Sequence, residues 1–219
     1  MARTKPLEAL SPVPGAPGLL TARKGAARMC AAALGAGGWL VYSPIDADPD
    51  AIAACADGRE VRAFLAPSHF HHLGLQAWSD AFPDAAIHAP AAAIPRLEAR
   101  TGLAIAPLAD LPALAPGLSV LEAPGVKAGE AWLRAEGDGV TWAVCDAFAT
   151  PAAPDDPPAQ TTRPRGAFAT MCVGDPAVYK AWALARIAAD QPTQLLPAHG
   201  GAVAGPDVAA RLAELVEAL

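Results

Sequence analysis

At 219 residues, 53% of them hydrophobic and only 17% charged, the chain can build a substantial core, and no charged or Gly/Ser-rich linker divides it, so a single domain over residues 1–219 is expected. Much of the apolar content is alanine, which buries little area per residue but lets elements pack closely. A net charge of −6 with no concentrated Lys/Arg face excludes a nucleic-acid partner and argues against an anionic membrane surface.

Pro6, Pro12, Pro14 and Pro17 break the N-terminus before any apolar run of signal-peptide length develops, and no run is long and clean enough to span a bilayer. Residues 1–18 are therefore read as an extended, Pro-rich lead-in lying on the surface, and the protein as cytoplasmic. Cys30, Cys55, Cys145 and Cys172 form no Cys-X-X-Cys pair, which leaves buried free thiols as the expectation.

Strands are predicted over 28–34 and 39–42, separated by Gly35, Gly37 and Gly38. Asp48-Pro49-Asp50 then supplies a cap, a preset first turn and a favourable charge for a short helix through Cys55. An apolar strand over 61–66 ends at Pro67, followed by a helical stretch with Leu75 and Trp78, a strand over 85–88 and a Pro-interrupted helix ending near Arg100. From Leu118 the rhythm changes to a meander: strands over 118–122, 131–136 and 140–145, the last two joined by the turn Gly137-Asp138-Gly139. A Pro-rich loop over 151–166 precedes a helix opened by Asp175-Pro176, with Val178, Ala181, Trp182 and Ala185 on one face. A short strand over 194–197 leads into His199, and Pro206-Asp207 opens a final helix bearing Val208, Leu212, Leu215, Val216 and Leu219. The order of elements alone implies α/β or α+β.

Histidines cluster just past the 61–66 strand in Pro67-Ser68-His69-Phe70-His71-His72-Leu73-Gly74. At i and i+2 of an extended segment, His69 and His71 point to one side and present two imidazoles to one cation, while His72 points away. Three further landmarks follow: Ala123-Pro124-Gly125-Val126-Lys127-Ala128-Gly129, Val144-Cys145-Asp146 and Leu196-Pro197-Ala198-His199-Gly200. In this order and at these separations the set resembles the metallo-β-lactamase superfamily, over roughly residues 28–219. The resemblance implies an α+β fold, a four-layer αββα sandwich of two mixed β-sheets with helices on the outer faces.

It also implies a ligand set that is incomplete here. The family's His-X-His-X-Asp-His loop has Leu73 and Gly74 in place of its last two ligands, and Val126 stands where a third imidazole completes the first metal site. Asp146 matches the bridging carboxylate and His199 the final ligand. The expected metal ligands are thus His69, His71, Asp146 and His199, converging at one edge of the sandwich, with Leu73 and Val126 lining the same cleft. They are a sensible set for one divalent ion, zinc or alternatively manganese or iron, and for no second one. The same four residues are also compatible with no metal at all.

Two functions follow. One is a single-metal hydrolase of a small ester, thioester, lactone or amide, with Asp146 as the catalytic group positioning water. The other is a metal-free, non-catalytic module that binds a ligand or partner. A small-molecule substrate or ligand is expected in either case, and a homo-oligomer is left open. His72 is expected to be exposed or bonded to backbone, His88 to be a surface histidine, and Cys145 to be a core thiol. Lys127, Arg163 and Arg165 are candidate anion contacts, with solvated surface positions as the simpler reading.

Overall fold

The computed structural model describes residues 5–150 and 168–219. Among these residues, twelve strands fall into two sheets. The first runs in the order β1 (Ser11–Pro12), β2 (Leu19–Lys24), β3 (Ala27–Ala33), β4 (Trp39–Tyr42), β5 (Val61–Leu65), β6 (Ala86–Ala89) and β7 (Ala106–Pro107). Its first four strands pair antiparallel and the rest parallel. The second sheet is β8 (Leu118–Glu122), β9 (Ala131–Glu136), β10 (Val140–Val144), β11 (Gln194–Pro197) and β12 (Val203–Ala204), with one parallel pair, β10–β11. Both sheets are mixed, as expected for the sandwich.

Strand alternation sorts the core into three layers of contact. Cys30 and Ala32 of β3 meet Ala131, Leu133 and Ala135 of β9 and Ala143 of β10 between the sheets. The many small side chains on these facing surfaces are where the alanine-rich composition is used, since they let two sheets approach closely. Met29 and Ala31 of β3 point outward and are covered by α1 (Pro49–Ala56), α2 (Leu75–Ala81) and α3 (Ile94–Thr101), which contribute Ile52, Trp78 and Leu97. On the other side, Trp132, Trp142 and Val144 are covered by α4 (Pro176–Asp190) and α5 (Val208–Glu217). Trp132 stands 5.0 Å from Trp142 and 4.9 Å from Trp182 between ring centroids, so much of the scarce aromatic content is spent on this layer.

The helix caps follow the sequence. Asp48 accepts the Ala51 amide at 2.8 Å and Asp175 accepts that of Val178 at 3.1 Å, each with proline at the next position. All four cysteines are buried thiols outside any disulfide. No helix among the described residues is long and apolar enough to cross a membrane.

Three expectations are corrected. The lead-in is no surface coil: Ser11 and Pro12 pair with Thr21 and Leu20, and Leu10, Val13 and Ala16 are buried. A strand over 19–24 was not anticipated, because the glycines and prolines around it conceal a pairing that only its neighbour β3 reveals. In α4 the buried face carries Tyr179, Ala183, Ile187 and Asp190, while Val178, Ala181 and Ala185 are exposed. Alanines on every side of this helix make its periodicity ambiguous, and the aromatic layer decides the rotation by drawing in Tyr179. The loop over 151–166, with Arg163 and Arg165, lies outside the described residues.

Candidate metal centre

The site forms where strands running in parallel release their chains at carboxyl ends, a place where loops from several elements meet. Ser43 follows β4, His71 lies in the loop after β5, Asp146 follows β10, and His199 follows β11. Two backbone links bring the sheets together there, Arg28 N–H to the Ala198 carbonyl at 2.8 Å and Gly200 N–H to the Ala26 carbonyl at 2.9 Å, and together they make the bridge of Ala27 with His199.

His71 Nε2 lies 3.5 Å from Asp146 Oδ2, and His199 Nε2 lies 3.5 Å from Asp146 Oδ1. The three side chains each offer a ligand atom within 4.8 Å of the others. These separations exceed an ordinary N–H···O hydrogen bond. They are close to the roughly 3.4 Å between neighbouring ligands that share one ion at about 2.1 Å, with the two imidazoles facing opposite oxygens of the Asp146 carboxylate. The donor set therefore fits a single divalent metal with positions left over. Ser43 Oγ sits 2.7 Å from His71 Nδ1, so a proton held on Nδ1 leaves the Nε2 lone pair facing Asp146.

His69 does not join this group. The i, i+2 rule needs an extended backbone, and here the chain turns: the His71 amide donates to the Ser68 carbonyl at 3.0 Å, and Ser68 Oγ accepts the Phe70 amide at 3.2 Å. The His69 ring instead meets Phe70 edge-on, centroids 4.2 Å apart. Its Nε2 is buried without a partner, and burial, reinforced by Arg96 and Arg100, holds its pKa below the usual value. His72 Nδ1 is 3.2 Å from the His69 carbonyl, the backbone-bonded alternative. His88 is 3% exposed and so is not a surface histidine; β6 directs it into the sheet, where Nδ1 faces the Pro107 carbonyl at 3.4 Å.

The replaced ligand positions differ from one another. Leu73 is 74% exposed and lines the cleft beside His71. Val126 does not line it: bridged to Val173, it is buried in the layer under α4 and α5, because this turn faces that core. Gly74 is closed sterically, since a Cβ there would lie 2.6 Å from the Pro44 carbonyl carbon. Lys127 is exposed and takes no part.

Sequence reasoning missed Glu130, which is fully buried under the site. Its Oε1 accepts from Trp132 Nε1 at 2.7 Å and from the Ala147 amide at 3.2 Å, and its Oε2 from the Asp146 amide at 3.3 Å. Burial, with the nearby Asp146 charge, pushes its pKa up to about 8. The one signal in the sequence is an acidic residue wedged between Gly129 and the apolar start of β9. Cys145 is the core thiol expected, its pKa raised by burial.

The three converging groups open into a cleft of about 650 Å³. Ile45, Phe70, Leu73, Phe168 and Met171 give it apolar walls, and Lys5, Lys24 and Arg28 a basic side. Its size suits a small organic ligand.

No protein-family model and no curated protein matches this chain. Solved structures do. A metallo-β-lactamase from Hirschia baltica superposes with a TM-score of 0.66 at 14% identity, covering 97% of this chain and 98% of that one. The metallo-β-lactamase FIM-1 from Pseudomonas aeruginosa, in its mono-zinc form, gives 0.64 at 12% identity, covering 99% and 97%. The metal-soaked Flv1 flavodiiron core from Synechocystis sp. gives 0.61 at 12% identity, covering 98% of this chain and 61% of that one.

Proposed function

From the metallo-β-lactamase fold that the chain shares with these structures, we propose a single-metal hydrolase of a small ester, thioester, lactone or amide, with His71, Asp146 and His199 holding the ion. The observation that carries this reading is the convergence of two imidazole nitrogens on one carboxylate inside an apolar cleft. His71, Asp146 and His199 would hold the ion, zinc or alternatively manganese or iron, which when bound would supply Lewis acidity and lower the pKa of a bound water toward about 7.

The chain's own groups do the rest. Ser43 fixes the His71 ring and its proton, and Glu130 fixes the backbone from which Asp146 projects. Asp146, its side chain 7% exposed, accepts a hydrogen bond from the attacking water and orients it. Phe70, Phe168 and Met171 keep bulk water from the reacting carbonyl and hold its apolar substituent. Leu73 stands where a carboxylate base is usual in the family it resembles, so turnover runs about 10²- to 10⁴-fold below that of a site with such a base.

The test is hydrolysis of an ester, thioester and lactone panel by protein stripped with chelator and then restored with zinc, manganese or iron. Turnover that needs both the metal and Asp146 supports the reading. A protein that neither retains metal nor turns over any of the panel is instead the metal-free ligand-binding module, which the apolar Leu73 at the cleft mouth favours.

A further inference from the structure

Arg28 is the least explained charge in the molecule. It is 5% exposed, lines the cleft, and by the alternation of β3 shares the face of Cys30 and Ala32, which points between the sheets. Its Nη1 donates to Thr21 Oγ1 at 3.1 Å, and its Nε is buried with no acceptor in reach. No carboxylate among the described residues forms an ion pair with it. Directly across the ladder stands Arg23, a like charge, and like charges so placed repel. Burial, foremost, and then Arg23 depress the Arg28 pKa, opposed by Cys30 and, least of all, by Glu8.

A buried guanidinium with no anion beside it costs stability unless the protein has a use for it. The use is suggested by what surrounds it. Lys24, whose Nζ donates to the Asp46 carbonyl at 2.7 Å, and Lys5 line the same side of the cleft. The bridge between Ala27 and His199 sets this basic side next to the metal-holding group, and Ile45, Phe70, Leu73 and Met171 supply an apolar remainder.

We propose that the cleft takes an amphipathic anion, its carboxylate or phosphate head against Arg28 and its apolar body along Phe70, Leu73 and Met171. This rests on the hydrolase reading only in making that anion the substrate class. Arg28 is then a specificity-determining residue: the anion supplies a counter-charge that no described residue provides, and a neutral ester of the same length does not. A charge-assisted bond of this kind is worth a preference of about tenfold or more.

The test uses metal-free, full-length protein, so that neither a metal ion nor turnover enters the result. Octanoate, octyl phosphate and 1-octanol are titrated calorimetrically at low salt and again at high salt. We expect one or both anions to bind about tenfold or more tightly than octanol, the better of the two identifying the head group. Arg28→Gln should bring the anions down to the octanol level, and Arg28→Lys should keep most of the preference. Should Arg28→Gln fail to fold, Lys24→Gln and the salt dependence decide, each weakening the anions and not the alcohol. Anions that bind no better than octanol, or a preference indifferent to these changes, would overturn the proposal. A protein with the preference but no hydrolysis loses the hydrolase reading alone, and one that hydrolyses esters without the preference loses only this inference.

Discussion

Glu130 Oε2 accepts the backbone N–H of Asp146 at 3.3 Å, which ties the one carboxylate of the candidate metal group to a second, buried carboxyl beneath it. Glu130→Gln keeps the volume but replaces one acceptor oxygen by a donor that faces either the Asp146 or the Ala147 amide. Metal affinity measured by titration should fall about 10- to 100-fold while the far-ultraviolet circular dichroism stays that of the wild type. Unchanged affinity would show that the Asp146 turn is held without Glu130.

Leu73 is exposed at the cleft, so replacing it by aspartate has little packing to lose. On the proposed reading, Leu73→Asp supplies the missing base and should raise metal-dependent ester turnover by at least about tenfold, with thermal stability close to that of the wild type. A variant that folds, binds metal and is no faster argues that the cleft does not hold a reacting carbonyl next to this position.

The parts legible in the sequence are those whose signal is local. Aspartate followed by proline marks the starts of α1 and α4, and strand ends followed by His71, Asp146 and His199 mark the site. What stayed hidden depends on partners far along the chain. β2 exists because β3 pairs with it, and His69 leaves the metal-holding group because the chain turns at Ser68. Glu130 belongs to no motif, and only its three donors, two of them sixteen or more residues away, give it a role. The family resemblance puts Val126 in the cleft, whereas packing puts it in the core.

His88 is buried, with burial holding its pKa below the usual 6.5. The fold therefore favours the neutral ring, whereas the unfolded chain takes up a proton near 6.5. The stability this contributes is present above 6.5 and is lost as the pH falls below it. Urea midpoints measured at pH 7.5 and at pH 5 should drop less for His88→Leu than for the wild type. An equal drop would place the acid sensitivity elsewhere, with His69 the next group to replace, its pKa being lowered in the same direction.

Trp132 is fully buried and stands within 5.8 Å of Trp142, Trp182 and Phe148 between ring centroids. It also donates its indole N–H to Glu130. Trp132→Ala should cost about 3–5 kcal/mol of unfolding free energy by denaturant titration. A loss well below that range would mean that α4 can settle onto the vacated sheet.

On the proposed reading each chain takes one metal ion, held by His71, Asp146 and His199. Untagged, chelator-stripped protein titrated with zinc or manganese at neutral pH should take up a single equivalent, and Asp146→Ala should abolish it, whereas His69→Ala should leave it in place. Gly74 cannot ligate and a side chain there meets Pro44, so a second ion lacks donors among the described residues. Two tight equivalents, or one that survives the loss of Asp146, would contradict the account.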